Sequence, residues 1–221
     1  MITILLEYIF LGLIIIFVFY SMLDTAKEEK ASEKSRDELI NKQGFKFEER
    51  VSIKRERELH RHGFKFLLTV DDNVKTNVLW KESEEESFYI FDCEYTESTL
   101  NGCRIDSKRA IFYKTSNTDL YNFELYNEGM FGKLNSLLGN EYNDFDEVPI
   151  FSKDDLLKTK NTETTLSTLP RELVEFISSQ KGINIEARES CLLIYDGISN
   201  YSKLFEIASK IRDILLRHTT K

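Results

Sequence analysis

Residues 2–23 form one unbroken apolar run, ITILLEYIFLGLIIIFVFYSML, and its length constrains this chain more than any other feature. Only Glu7 carries a formal charge within it, and residues 8–20 are apolar or aromatic throughout. As a helix, such a run matches the ~30 Å of hydrocarbon in a bilayer. Tyr8 lies near one end and Phe19 and Tyr20 near the other, where amphipathic rings prefer the interface. Glu7 is close enough to the N-terminal end to reach headgroups. A cleaved signal peptide would need a basic leader, a shorter core and small residues before the cut, and SMLDTA supplies a poor cleavage site. A buried helix of a soluble protein would show a polar face, and this run shows none. The run therefore reads as a retained, single transmembrane helix over residues 1–23.

Charge sets the expected orientation. No Lys or Arg precedes the run, whereas Lys27, Lys30, Lys34 and Arg36 follow it directly. By the positive-inside rule the remainder of the chain is expected in the cytoplasm. Cys93, Cys103 and Cys191 are sparse, odd in number and without a CxxC, which fits free thiols in a reducing compartment.

Residues 24–62 are dense in charge but nearly neutral, with eleven Lys/Arg against ten Asp/Glu. Intermixed signs such as Glu28/Lys30 and Glu33/Arg36 suit a solvated helical stalk. The tetrapeptide GFKF occurs at residues 44–47 and again at 63–66, a coincidence rather than a repeat unit on spacing alone. From residue 63 onward acids outnumber bases, and the whole chain carries a formal charge of −8. Without a basic stripe, nucleic-acid binding is not expected.

A soluble domain is expected over residues 63–221, in sublayers of about 63–126 and 127–221. Apolar runs bounded by turn residues predict strands at 64–70, 74–80, 88–95, 108–114, 119–125 and 151–159. Along 88–95 strict alternation places Tyr89, Phe91, Cys93 and Tyr95 on one face, expected to be core, with Phe88, Ile90, Asp92 and Glu94 opposite. Should a second layer cover that opposite face, Asp92 would require a partner such as Arg104 or Arg109. Residues 128–138 read as a short helix stopped by Gly139. A further helix opens at Leu169-Pro170, with Leu173, Phe176 and Ile177 at core spacing and Gly182 beyond its end. Residues 183–187 and 191–195 form a strand pair. Asn200 then caps a long helix with Leu204, Ile207, Ala208, Ile211, Ile214 and Leu215 on one face. The fold class is α+β: a transmembrane helix, then a largely antiparallel sheet with the long C-terminal helix packed on it.

The segments NVLW at 77–80, YIFDCEY at 89–95 and YNDFDEVPIFSKDDLL at 142–157 resemble a group of uncharacterised bacterial membrane-anchored proteins. LPRELVEFI and INIEARESCLLIY extend the similarity. The resemblance spans residues 40–216 and implies one or two N-terminal membrane helices with a cytosolic domain carrying an IFDYxY strand. Trp80 and Cys93 depart from that pattern, which has Gly and Tyr there. No activity is implied.

Candidate chemistry is thin. His60 and His62 form an HxH pair, but a metal site needs more ligands and only His218 remains. Asp144, Asp146 and Glu147 form the densest acidic group, with Asp154 and Asp155 following. Carboxylates so grouped can hold Mg²⁺ or Ca²⁺ or act as an acid–base pair, although the spacing and glycine of an EF-hand are missing. These three are the candidate binding residues; no catalytic residue, metal site or cofactor is assigned. GxSxG, P-loop, GxGxxG and HExxH signatures are missing from the sequence. The expected role is a single-pass membrane-anchored interaction or structural protein with a protein partner. The alternative is a membrane-tethered, metal-assisted enzyme using Asp144 and Asp146.

Overall fold

In the computed structural model, residues 2–68, 74–99, 102–116, 123–127, 155–158, 169–180, 182–195 and 198–219 are described. Helix α1, Ile2–Gln43, is a single helix of 42 residues, about 63 Å long at 1.5 Å per residue. It carries the apolar run, the charged residues after it and a packed end in one continuous element. Within Phe10–Gln43, its apolar stretch is long and apolar enough to cross a membrane, and no residue of that stretch is buried against the rest of the protein.

The other elements are β1 (Lys46–Arg50), α2 (Ile53–Arg61), α3 (Lys65–Leu68), β2 (Val74–Glu82), β3 (Glu86–Thr99) and β4 (Gly102–Thr115). They continue with β5 (Phe123–Asn127), β6 (Asp155–Lys158), α4 (Arg171–Ser179), β7 (Asn184–Arg188), β8 (Cys191–Tyr195) and α5 (Tyr201–Thr219). The strands form one eight-stranded sheet in the order β1-β2-β3-β4-β8-β7-β5-β6. Every described pairing is antiparallel. The architecture is thus α+β, as the sequence predicts.

Both faces of the sheet are covered. On one, Leu79, Phe88, Ile90, Ile111, Tyr113, Leu192 and Ile194 pack against Leu39 of α1, Leu173 and Ile177 of α4, and the apolar stripe of α5. All six residues assigned from sequence to that stripe are buried. Asn200 caps α5 as expected, its Oδ1 accepting the Lys203 amide at 3.0 Å. On the other face Val78, Tyr89, Phe91, Cys93, Phe112 and Leu193 pack against Leu59 of α2 and Phe64, Phe66 and Leu67 around α3.

This second layer changes two expectations. The segment predicted as a solvated stalk contributes to the packed domain: Leu39 is 2 % exposed, β1 pairs with β2, and Leu59 is wholly buried. Several of its charges, those of α2 above all, make contacts across elements. Arg55 of α2 reaches Glu48 of β1 at 2.7 Å and Glu82 of β2 at 3.2 Å, and lies 3.8 Å over the Trp80 ring. The strand predicted over 64–70 is instead the helical turn α3. Its first two amides are captured by the Glu186 carboxylate, Lys65 N–H at 2.7 Å and Phe66 N–H at 3.0 Å. A carboxylate at a helix N-terminus satisfies donors that have no partner within the turn. The helix predicted over 128–138 lies outside the described residues, as does part of the strand expected at 151–159.

Candidate functional site

Asp92 lies on β3 directly across from Arg109 on β4, a pairing the strand register alone produces. The face it occupies is covered by α1 and α5, so Asp92 is only 7 % exposed. Arg109 meets it with two parallel bonds, Nε to Oδ1 at 2.6 Å and Nη2 to Oδ2 at 2.9 Å. Asn77 Nδ2 donates to Oδ2 at 3.0 Å, and the Tyr201 hydroxyl donates to the same oxygen at 3.1 Å. Asn77 stands at a φ of +50°, where the β2–β3 register slips between Thr76 and Leu79; Asn tolerates this left-handed conformation better than most residues. Asp92 is therefore buried with its acceptor capacity used, as a buried charge requires. Arg109 was among the partners foreseen from the sequence.

Arg109 does more than neutralise Asp92. Its Nη1 donates to Ser32 Oγ of α1 at 2.8 Å and to the Ser199 carbonyl before α5. Its guanidinium lies 3.6 Å over the Tyr201 ring. Ser35 Oγ accepts the Tyr201 amide at 3.1 Å, and the Ser202 hydroxyl donates to the Ser35 carbonyl at 3.0 Å. Burial, together with the Asp92 charge, pushes the Tyr201 phenol well above its ordinary range, so it stays a hydroxyl donor. One guanidinium thus joins helix α1, the sheet and the start of α5. Ser32 and Ser35 stand out only weakly in the sequence, as two small hydroxyls in a run of charges.

Beside this junction, a groove of about 800 Å³ runs between α1, α4 and α5. Phe176, Phe205 and Ile207 supply its apolar surface, and Lys42, Glu206 and Lys210 its charged rim. Its lining joins apolar surface to charged and hydroxyl side chains, the make-up of a binding surface.

A second buried ionic group fastens α3 to the sheet. Glu186, 0 % exposed, also accepts the Tyr195 hydroxyl at 3.2 Å. Glu124 accepts Lys65 Nζ at 2.6 Å and an Arg188 nitrogen. Burial opposes ionisation of Glu124, but the hydrogen bonds from Lys65 and Arg188 outweigh it and hold the carboxyl below its ordinary range. Neither buried glutamate was anticipated, because a carboxylate in a strand normally marks a solvent face.

The histidine pair has no shared geometry for a metal. His60 Nε2 lies 3.3 Å from Lys75 Nζ, whereas the His62 ring packs 5.9 Å from Phe112 and 6.3 Å from Phe64. Among the described residues, no group of three or more His, Cys, Asp or Glu side chains could hold a metal ion. Asp144, Asp146 and Glu147 lie outside the described residues. Cys93 is buried as expected, and burial pushes its thiol, like that of Cys191, up to about 11.

The fold is similar to that of a solved transport factor. In the crystal structure of the mycobacterial trehalose monomycolate transport factor A, TtfA, 94 % of the chain superposes on 84 % of this one, with a TM-score of 0.56 and 17 % identity. At that identity the likeness concerns the fold alone. No protein-family model and no curated protein sequence matches the chain.

Proposed function

We propose that the chain is a single-pass membrane-anchored protein whose α+β domain binds a protein partner at the bilayer surface. The observation that carries this reading is the continuity of α1. The same helix presents its unburied apolar segment and then, from Ser32 to Leu39, docks on the sheet and α5. A helix without a break holds the domain at a set distance and rotation from the membrane, which a flexible linker would not do. The charge bias after the apolar run supports a cytoplasmic domain. A structural neighbour described as a transport factor supports an accessory role beside a membrane process.

The groove between α1, α4 and α5 is the proposed partner surface, because it pairs apolar area with a charged rim. The test is gentle-detergent isolation of the full chain from its native membranes beside a Glu206→Lys/Lys210→Glu variant. A specific partner should accompany the unaltered chain and be lost from the variant, with membrane retention equal in both. A chain that stays monomeric and partnerless, or a partner retained equally by both, defeats the reading.

A further inference from the structure

The long hairpin β3–β4 extends past its neighbours in the sheet. Strand β2 accompanies β3 only as far as the Val74–Glu94 pair, and β8 accompanies β4 only as far as Ala110–Tyr195. Beyond these, among the described residues, 95–99 and 102–106 pair only with each other, through to Thr99–Gly102. A two-stranded ribbon alone in water is marginally stable, and among the described residues no further strand pairs with its outer edges.

Two levels in the structure fix the direction in which the ribbon projects. At the first, the Arg109 guanidinium holds both Asp92 of β3 and Ser32 of α1. At the second, the Phe205 ring lies 5.4 Å from Phe88 and 5.1 Å from Phe45, which directly follows α1. Between these levels α1 advances toward its C-terminus while β3 runs back from Asp92 to Phe88. The two elements therefore run in opposite directions. Continuing β3 from Asp92 toward Thr99 moves along α1 toward its apolar segment.

The distances close. From Ser32 back to Leu23, where the apolar run ends, nine helical residues span ~14 Å. From Asp92 to Thr99, seven strand residues span ~23 Å, and ~18 Å remains even at an inclination of roughly 40° to the helix. The ribbon thus reaches the plane at which α1 enters the hydrocarbon.

We propose that the ribbon formed by residues 95–99 and 102–106 rests in the headgroup layer of the same bilayer that holds α1, as a second membrane contact. This rests on the anchoring proposed above. Depth follows from the backbone: open strand edges are not tolerated in hydrocarbon, but headgroups and their water can satisfy them. Composition fits the same layer, with Tyr95, Thr96, Thr99 and Ile105 interspersed among Glu97, Arg104 and Asp106. The acids outnumber the single base, so anionic lipid is not the attractant. A pivot at α1 plus a touch at the ribbon would fix the tilt of the domain on the membrane.

The test places one environment-sensitive fluorophore at a time on the full chain in phosphatidylcholine vesicles. Sites are Cys103, Ile16→Cys in mid-span, and Ser83→Cys at the opposite end of β3, the latter two with Cys103→Ser. A Thr99→Cys/Cys103→Ser variant repeats the ribbon measurement from a second position. Lipids carry a quencher either at the headgroup or deep in the acyl chain. The expected result is loss of Cys103 and Thr99→Cys emission with the headgroup quencher, loss of Ile16→Cys emission with the deep quencher, and neither loss at Ser83→Cys. Quenching at Ile16→Cys with none at the ribbon overturns the ribbon contact and leaves the anchor standing. Ribbon labels shielded from water but untouched by lipid quenchers place protein there instead and also overturn it. No quenching at Ile16→Cys overturns the anchoring, and the ribbon proposal with it.

Discussion

Arg109 is the residue on which most of the junction depends, because one side chain serves the sheet, α1 and the start of α5 at once. Removing one partner of a buried, hydrogen-bonded ion pair leaves the other charge uncompensated, at a cost of about 3–5 kcal/mol. Arg109→Ala and Asp92→Ala should each lower urea stability by that order, read through the single Trp80 in the detergent-solubilised chain. The double variant should lose far less than the two single losses added together, since neither orphaned charge remains. A second prediction concerns pH. Burial, then the charge of Lys114, lowers the affinity of His62 for a proton below the ordinary 6.5. The unfolded chain therefore binds that proton first, and the stability His62 confers as a neutral ring, complete above 6.5, is lost as pH falls below it. Glu124, also depressed, adds a further loss as pH falls below the ordinary carboxylate value of 4.5 toward its own. His62→Gln should flatten the upper part of that pH profile and Glu124→Gln the lower part, as followed by Trp80 fluorescence in urea.

At the scale of elements, α1 joins an unburied apolar stretch to a packed end in one helix. Its end is a packed element, so Leu39→Ala, which empties a site 2 % exposed, should cost about 2–5 kcal/mol with an unchanged denaturant slope. Its middle is a spacer, and there the expected effect is geometric. Proline at position 29 removes a helical hydrogen bond and kinks the chain, so Glu29→Pro should broaden the distance distribution between spin labels at Met22 and Ser83. The domain itself should stay folded, because residue 29 lies before the packed end. Elements are also where sequence reading met its limit. The six-residue stripe and Asn200 cap of α5 were legible because period and cap are local signals. Helix α2 is not distinguished within the charged segment, because a stretch rich in Lys, Arg and Glu shows its single buried Leu59 only once the sheet beneath it is known, and the apolar KFLL of α3 reads locally as strand.

For the whole molecule, the expected behaviour is that of an integral protein carrying a folded domain. The full chain should remain in the membrane pellet through an alkaline wash, and a chain lacking residues 2–23 should move to the supernatant with its Trp80 emission unchanged. Retention of the shortened chain in the pellet would locate membrane binding elsewhere.

The sequence by itself determined the apolar run, the α+β class, most strands and the last helix, since each depends on patterns between residues close along the chain. It also offered Arg104 or Arg109 as partners for Asp92 should a second layer cover that face, because a buried carboxylate demands one, and the strand register selects Arg109. What only the tertiary structure decided is clearest in the repeated GFKF. Gly44 and Gly63 both adopt positive φ, each just past the end of a helix, a conformation glycine adopts freely. From there the same three residues diverge. Lys46 and Phe47 become the edge strand β1, with Phe47 39 % exposed, whereas Lys65 and Phe66 become helix α3, with Phe66 7 % exposed. β2 offers the first copy a row of ladder partners, and the Glu186 carboxylate offers the second copy an acceptor for its free amides. Both partners are distant along the chain, so no local pattern could distinguish the two copies. The same physics governs α1: composition gives it its apolar run, and packing against α5 and the sheet makes its other end part of the domain.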